Sequence, residues 1–378
     1  MIKKIYNALN ADLEAEGELR RLGSGWYSGV AALVLALAGL VAVLCIRYSH
    51  ILTVPEIREI IDLALFRLIL HVVLIAGFLF AVISLVLREK KVLGFAAISF
   101  VLVAIVLGGS RVETNGEITT GVYFGLDWFM LNLLFTGILF VPLERLFHRQ
   151  PQALFRPEWR EDLFYFFISS IMVQSLTYLS LAPSMTVLTH LEAMEFRTVV
   201  GNQPLWLQII EIMFLTDLVQ YWVHRAFHRI PFLWRFHAIH HSAKMLDWLA
   251  GSRMHFLEII CLRGLTVIPM YALGFAEAAM YTYLVLVYVY STYIHANVKF
   301  DIEFLKPFIV TPRFHHWHHG TEKEAIDVNF AIHFPLFDRL FGTYHMPKGR
   351  WPSGYGVGGH PVPQGYLRQF AYPFIKAK

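Results

Sequence analysis

Between Asp217 and His241 the chain reads DLVQYWVHRAFHRIPFLWRFHAIHH, in which five histidines (His224, His228, His237, His240 and His241) follow directly on an apolar run. A second set, His315, His318 and His319, lies further along. On a helix His224 and His228 stand one turn apart on one face, and His237 stands with His240 and His241 at spacings of three and four. Imidazoles stacked in this way converge on a point. Neutral imidazole suits iron, zinc, copper and nickel, so ligand type does not name the metal. Number is more informative: a catalytic zinc takes three protein ligands and keeps a position open, whereas eight or more histidines in paired sets suffice for two ions. The two cysteines, Cys45 and Cys261, lie in apolar runs, which leaves no thiolate set for an iron–sulfur cluster or structural zinc, and no disulfide framework.

The elements that must position these rings are membrane helices. With 56% hydrophobic and 16% charged residues and a mean hydropathy of +0.52, the composition lies outside the range of soluble domains. Spans need about 20 apolar residues. They are expected at about Trp26 to Ile46, Leu63 to Leu87, Val92 to Gly108, Gly121 to Leu143, Leu163 to Leu181, Leu205 to Val223, Phe256 to Leu273 and Ala278 to Ile294, the last two forming a hairpin that turns at Gly274 to Glu277. An amphipathic stretch around Leu188 to Val200, carrying His190, is expected along the interface. His71, within the second span, is expected to be a packed or hydrogen-bonded residue. The expected fold class is thus all-α: a polytopic helical membrane protein of about eight transmembrane helices with a cytoplasmic helical cap carrying the histidines.

The basic, proline-bearing stretch Glu144 to Glu161 separates an N-terminal four-helix region (1–143) from a site-bearing region (162–345), with 346–378 as a cytoplasmic tail. With eight spans, Lys3, Lys4, Arg20, Arg21, Arg88, Lys90, Lys91, Arg145, Arg149, Arg156, Arg160 and the histidines fall on one side, and Arg47, Arg58, Arg111 and Arg197 on the other. The lysine and arginine excess marks the first side as cytoplasmic. No cleavable leader is evident at the start, and the short loops favour a bacterial inner membrane over the endoplasmic reticulum. Pro231 is expected to stop or kink the helix after the sixth span, and Pro312 to stand in the first turn of the helix bearing the last box.

The order His-x-x-x-His, His-x-x-His-His, a later single histidine and His-x-x-His-His resembles the fatty acid hydroxylase and sterol desaturase superfamily of membrane di-iron oxygenases. So do the flanking residues: Asp217 and Tyr221 before the first box, Arg225 within it, Arg253-x-His255 with Glu258, His295-x-Asn297, Asp327-x-Asn329-Phe330, and Phe337 to Tyr344. The resemblance covers about Asp162 to Tyr344. It implies metal ligation by His224, His228, His237, His240, His241, His315, His318 and His319, with His295 as a ninth ligand. It implies that His255 is either a ligand or a partner of one, and that Asp217, Glu258, Asn297 and Asp327 support the ligands. His316 would point off the ligand face, and His333, His345 and His360 would be surface or packing residues. The chain departs from the family at Phe256, Ala331 and Ser291, where proline, glycine and a further ligand are common.

The implied chemistry is dioxygen activation at two irons and attack on an unactivated C–H of a lipid (sterol, sphingolipid, fatty acyl or ether lipid), giving an alcohol or an alkene. Trp234, Phe236, Trp248 and Trp317 could shield the site or form an interfacial belt. Electrons would come from a separate ferredoxin or cytochrome b5-type protein, since the chain has no Rossmann fingerprint and Gly358-Gly359-His360-Pro361 is the wrong order for a fused haem motif. Nucleic acid is not an expected partner. The principal alternative is a histidine-rich membrane metal transporter, which would need polar groups at mid-bilayer, whereas here the histidines sit at the ends of the spans. A bis-histidine haem protein would need facing pairs inside the spans, and a zinc hydrolase would leave most of the histidines unused.

Overall fold

The computed structural model describes residues 2–115, 121–191, 195–300, 304–358 and 362–375. Among these every regular element is helical, apart from two isolated bridges, His148–Val298 and Gly320–Tyr355. The chain divides into two compact units: residues 1–134 with 152–156 and 170–174, and residues 135–151, 157–169 and 175–378. The basic stretch 144–161, expected as a linker, is therefore mostly built into the second unit.

The first unit holds α1 (Ile2–Leu13), α2 (Trp26–Arg47), the short α3 (Ser49–Leu52) and α4 (Pro55–Ile60), α5 (Leu63–Leu87), α6 (Val92–Val106) and the start of α7 (Leu126–Leu146). Helices α2, α5 and α6 pack through small residues. A Cβ on Gly29 would lie 2.6 Å from Ser84 Oγ, and one on Gly39 2.6 Å from Leu74 Cδ2, so these glycines set how closely the helices approach. Arg88 is buried in an ion pair with Asp12. His71 bonds Ser110 Oγ at 3.2 Å, the hydrogen-bonded role expected of it.

The second unit continues with α8 (Trp159–Ile171), α9 (Val173–Leu191), α10 (Glu195–Gly201), α11 (Leu205–Arg229), α12 (Pro231–His241), α13 (Phe256–Leu273), α14 (Glu277–His295), α15 (Pro312–His318), α16 (Leu336–Leu340) and α17 (Tyr366–Ala371). Proline starts α12 and α15, where its missing N–H costs nothing. Gly274, at φ 77°, ends α13 and turns the chain into α14. Buried Ile212, Val267, Met270, Phe275, Ala279 and Tyr283 join α11, α13 and α14 in one core, and Tyr221, Ile294, Val310, Phe314, Phe330 and Phe337 join α11 and α14 to the loops around α15.

Among the described residues five helices are long and apolar enough to cross a membrane: Trp26–Arg47, Leu63–Leu87, Val92–Arg111, Leu126–Leu146 and Phe256–Leu273; α8 and the first part of α9 make a sixth if that pair, bent by 66°, is one span. Helices form where the predicted sixth and eighth spans stand, but both fall outside this set. α11 carries Gln208, Glu211, Asp217 and Gln220, and α14 is rich in tyrosine. Part of the predicted interfacial stretch, residues 192–194, and His360 lie outside the described residues, as does the side chain of His190.

Candidate metal centre

The histidine side chains gather from four places in the second unit: the end of α11, α12, the end of α14, and α15 with the residue after it. They form two groups. His224, His228, His237, His241 and His318 make one, and His240, His295, His315 and His319 the other; within each group one ring nitrogen per residue lies within 4.8 Å of every other. All nine histidines expected at the metals are thus brought together, and eight of the nine are buried, His228 being partly exposed. Neighbours in sequence are parted: His240 and His241 fall in different groups, as do His318 and His319.

The orientation of the rings is set at Nδ1. His224 Nδ1 lies 2.8 Å from the Phe330 carbonyl, His318 Nδ1 2.8 Å from that of Val328, His240 Nδ1 3.2 Å from that of Arg253 and His295 Nδ1 2.7 Å from that of Ser291. His237 Nδ1 meets the Glu258 carboxylate, and His228 Nδ1 stands 3.3 Å from Asp327 Oδ1. A carbonyl or carboxylate oxygen accepts, so in each of these rings Nδ1 carries the hydrogen and Nε2 presents a lone pair. Burial, reinforced by the neighbouring imidazoles, holds His237, His240, His241, His315, His318 and His319 well below the usual histidine range and keeps these rings neutral.

Those lone pairs face one another. Nε2 of His224 is 2.9 Å from Nε2 of His237, and the corresponding separations are 3.1 Å for His241–His237, His241–His318, His295–His240 and His319–His315, and 2.9 Å for His315–His295. Where both Nδ1 atoms already carry hydrogen, as in His224–His237 and His295–His240, neither Nε2 can donate, and the contact is repulsive unless a cation lies between the two. A metal–imidazole bond of about 2.1 Å places adjacent nitrogens of a square-based or octahedral site about 3.0 Å apart and those of a tetrahedral site about 3.4 Å apart. The observed spacings fit the former. The donor sets therefore fit metal ions, and Nε2 of His228, buried and without a hydrogen-bond partner, fits a ligand as well.

The supporting residues divide by what they touch. Glu258 and Asp327 bond ligand rings directly. Asp327 is held below the ordinary carboxylate range chiefly by its bond to His228. Asp217 acts through the main chain: its two oxygens accept from Ile332 N (2.8 Å) and Phe334 N (2.7 Å), fixing the segment whose Phe330 carbonyl orients His224. Asn297 does not reach a ring. Its side chain pairs with the main chain of Gln150 at 2.7 and 3.2 Å, and its N–H donates to Glu144 at 2.9 Å, tying the end of α14 to the 144–150 stretch.

His255 lies outside both groups, which corrects its expected place as a ligand or the partner of one. Its Nδ1 caps α13 by accepting from Leu257 N at 3.1 Å, and its Nε2 donates to the Phe370 carbonyl at 3.1 Å, so both nitrogens are engaged by main chain. His316 points off the ligand face as expected, with Tyr355 Oη 2.6 Å from Nδ1. His333 is a packing residue, buried beside Tyr283.

Of the four aromatics expected to shield the site, only Trp234 lies against the ligand rings, 5.0 Å from His228 and 5.5 Å from His241. Phe236 packs on His255, Trp248 joins a cluster with Phe140, and Trp317 packs on His345. The wall that sequence reasoning missed is Phe330, fully buried with its ring 5.1 to 5.8 Å from those of His224, His228 and His318.

Three positioning residues were also missed. Asp338 accepts from Phe330 N and Ala331 N at 2.8 and 2.9 Å. Asn329, at φ 58°, bonds the carbonyls of Phe314 (2.9 Å) and His345 (2.7 Å) and the N–H of His345 (2.8 Å). The Arg253 guanidinium, paired with Asp162 and Glu158, fixes the turn whose carbonyl orients His240. Each stands within a motif that the resemblance flagged, but none is of a type that announces ligation.

A buried polyhistidine centre carried at helix ends beside membrane-length helices defines the class of this protein. Residues 209–343 match the fatty acid hydroxylase family. Relatives include an ornithine lipid hydroxylase of Rhizobium tropici, 31% identical over 174 residues (46% of this chain, 52% of the relative). They also include the alkylglycerol monooxygenase of Homo sapiens, 29% identical over 146 residues (39% and 32%), and the lathosterol oxidase of Mus musculus, 28% identical over 158 residues (40% and 50%). The chain spans about half the length of these curated relatives, or less. No solved structure matches it.

Proposed function

We propose that this protein is a multi-pass membrane di-iron oxygenase that hydroxylates or desaturates a lipid, using dioxygen and electrons from a separate ferredoxin or cytochrome b5-type donor. The observation that carries this reading is the pair of imidazole groups with Nε2 lone pairs turned inward at spacings suited to a metal of more than four ligands. Five imidazoles in one group exceed what tetrahedral zinc takes, and iron accepts nitrogen ligands with positions left open. In this reading His224, His228, His237, His241 and His318 hold one iron and His240, His295, His315 and His319 the other. The irons, when bound, supply the activation of dioxygen.

The chain's own residues do the rest. Glu258, Asp327 and the carbonyls of Phe330, Val328, Arg253 and Ser291 keep Nε2 unprotonated and aimed inward in six of the nine rings, those of His237, His228, His224, His318, His240 and His295. Asp217, Asp338 and Asn329 hold the 329–334 segment that carries one of those carbonyls, and Phe330 and Trp234 keep water from the rings. Eight spans with the site on the cytoplasmic side of a bacterial inner membrane complete the proposal, with the lipid reaching the helix mouths from the bilayer. Metal analysis of protein purified from iron-replete cells tests it, with close to two irons per chain expected. Lipid profiles of aerated cells with and without the gene should differ by one oxygen or two hydrogens in one lipid class. Zinc alone in the purified protein, or unchanged lipids together with metal uptake into vesicles, would overturn the reading.

A further inference from the structure

Arg263 stands eight residues into α13, one of the helices long and apolar enough to span the membrane. Its stripe on that helix consists of Ile259, Val267 and Met270, at offsets of minus four, four and seven. These three are buried, at 7%, 8% and 1% exposure, whereas Arg263 is accessible. Of the positions turned away from this stripe, Leu257 and Leu265 are exposed as lipid-facing residues should be, while Glu258, at the histidine end, is buried. An accessible side chain within a buried stripe points to a gap on the inward side of α13. The neighbouring groups agree, since Arg263 is near enough to the Tyr288 phenol of α14 to interact with it electrostatically, and Tyr288 lies beside the buried Thr136 of α7.

A guanidinium at this depth is costly unless an anion meets it. Among the described residues Arg263 makes no ion pair and its guanidinium no hydrogen bond, so the protein does not supply the anion. Five residues separate Arg263 from Glu258, and seven separate Tyr288 from His295, which places this polar pair about 7 to 10 Å along the helices from the histidine groups. Both helices therefore carry a piece of the histidine centre at one end and a piece of the gap further along.

We propose that Arg263, with Tyr288 as a hydrogen-bond donor beside it, is the anchor for an anionic oxygen group of the substrate, a carboxylate or a phosphate. The substrate class is then an acidic lipid, held with its anion one to two helical turns from the carbon that reacts. This inference rests on the oxygenase reading for the identity of the ligand as substrate, but the anion site is measurable without turnover.

The test is competitive binding to the purified, metal-loaded protein in detergent, with two matched pairs of probes: palmitate against hexadecanol, and phosphatidic acid against diacylglycerol. The wild type should prefer at least one anionic member by tenfold or more. The arm that shows the preference tells carboxylate from phosphate. Arg263→Gln should lose that preference while keeping its metal content, and Arg263→Lys should retain part of it. An unchanged preference in Arg263→Gln, or no preference in the wild type, overturns the inference. If the preference depends on Arg263 but no lipid is oxygenated, the anchor stands and the oxygenase reading falls. If oxygenation proceeds with equal affinity for charged and neutral lipids, the reverse holds.

Discussion

The carboxylate of Glu258 accepts the Nδ1–H of His237, and Nε2 of that same ring lies 2.9 Å from Nε2 of His224 and 3.1 Å from that of His241. One acid on α13 thus decides which nitrogen of a central ring is free to bind. Glu258→Ala should weaken metal binding at the five-histidine group by about 10- to 100-fold, the usual effect of removing such a partner. Competition with a chelator of known affinity measures it, and Asp327→Ala should act in the same direction through His228.

His318 and His319 are adjacent in the chain but belong to different groups. His318→Ala and His319→Ala should each lower the metal content from about two to about one per chain, leaving different sites filled. The double variant should hold almost none. Element analysis of all three proteins checks the assignment. A single variant that loses both metals would show that the groups act as one site.

Asn329 combines a left-handed backbone with three hydrogen bonds to main-chain groups. Asn329→Ala leaves those groups unpaired and should cost about 3 kcal/mol or more. Asn329→Gly, which relieves the backbone, should recover less than about 1 kcal/mol of it. Thermal unfolding in detergent distinguishes the bonds from the conformation.

His255→Ala should leave the metal content unchanged and lower stability by about 0.5–2 kcal/mol through loss of the helix cap. Loss of metal in this variant would contradict the placement of His255 outside the two groups. Protease susceptibility near Phe370, whose carbonyl His255 holds, should rise.

The buried rings of His237, His240, His241, His318 and His319 are held well below the ordinary histidine range, and His316 is lowered to about 3, in each case chiefly by burial. As pH falls below about 6.5 the unfolded chain takes up protons that the fold refuses, so the stability of metal-free protein should be highest above that pH and decline steadily beneath it. Unfolding temperatures between pH 8 and pH 5 test the sign.

Much of this was legible because it is local. His224 and His228 share a helix face by spacing alone, and Pro231, Pro312 and Gly274 mark helix ends by their own backbone chemistry. The division of the rings was not legible, since His240 leaves its own box to join His295, His315 and His319 through tertiary packing. Asp338 and Asn329 act on main-chain groups, and nothing in their type separates them from ordinary loop residues. The 66° bend between α8 and α9 falls at Met172, where no proline or glycine announces it.

Four of the ring anchors, at Phe330, Val328, Arg253 and Ser291, are main-chain oxygens. Every amino acid carries that oxygen, so replacing the side chain there does not delete the acceptor. At Val328 and Ser291 drift can alter the side chain and keep the contact, whereas Phe330 also walls the rings and Arg253 also fixes its own turn through Asp162 and Glu158. Among these ring anchors, a point mutation removes the acceptor itself only at Glu258 and Asp327.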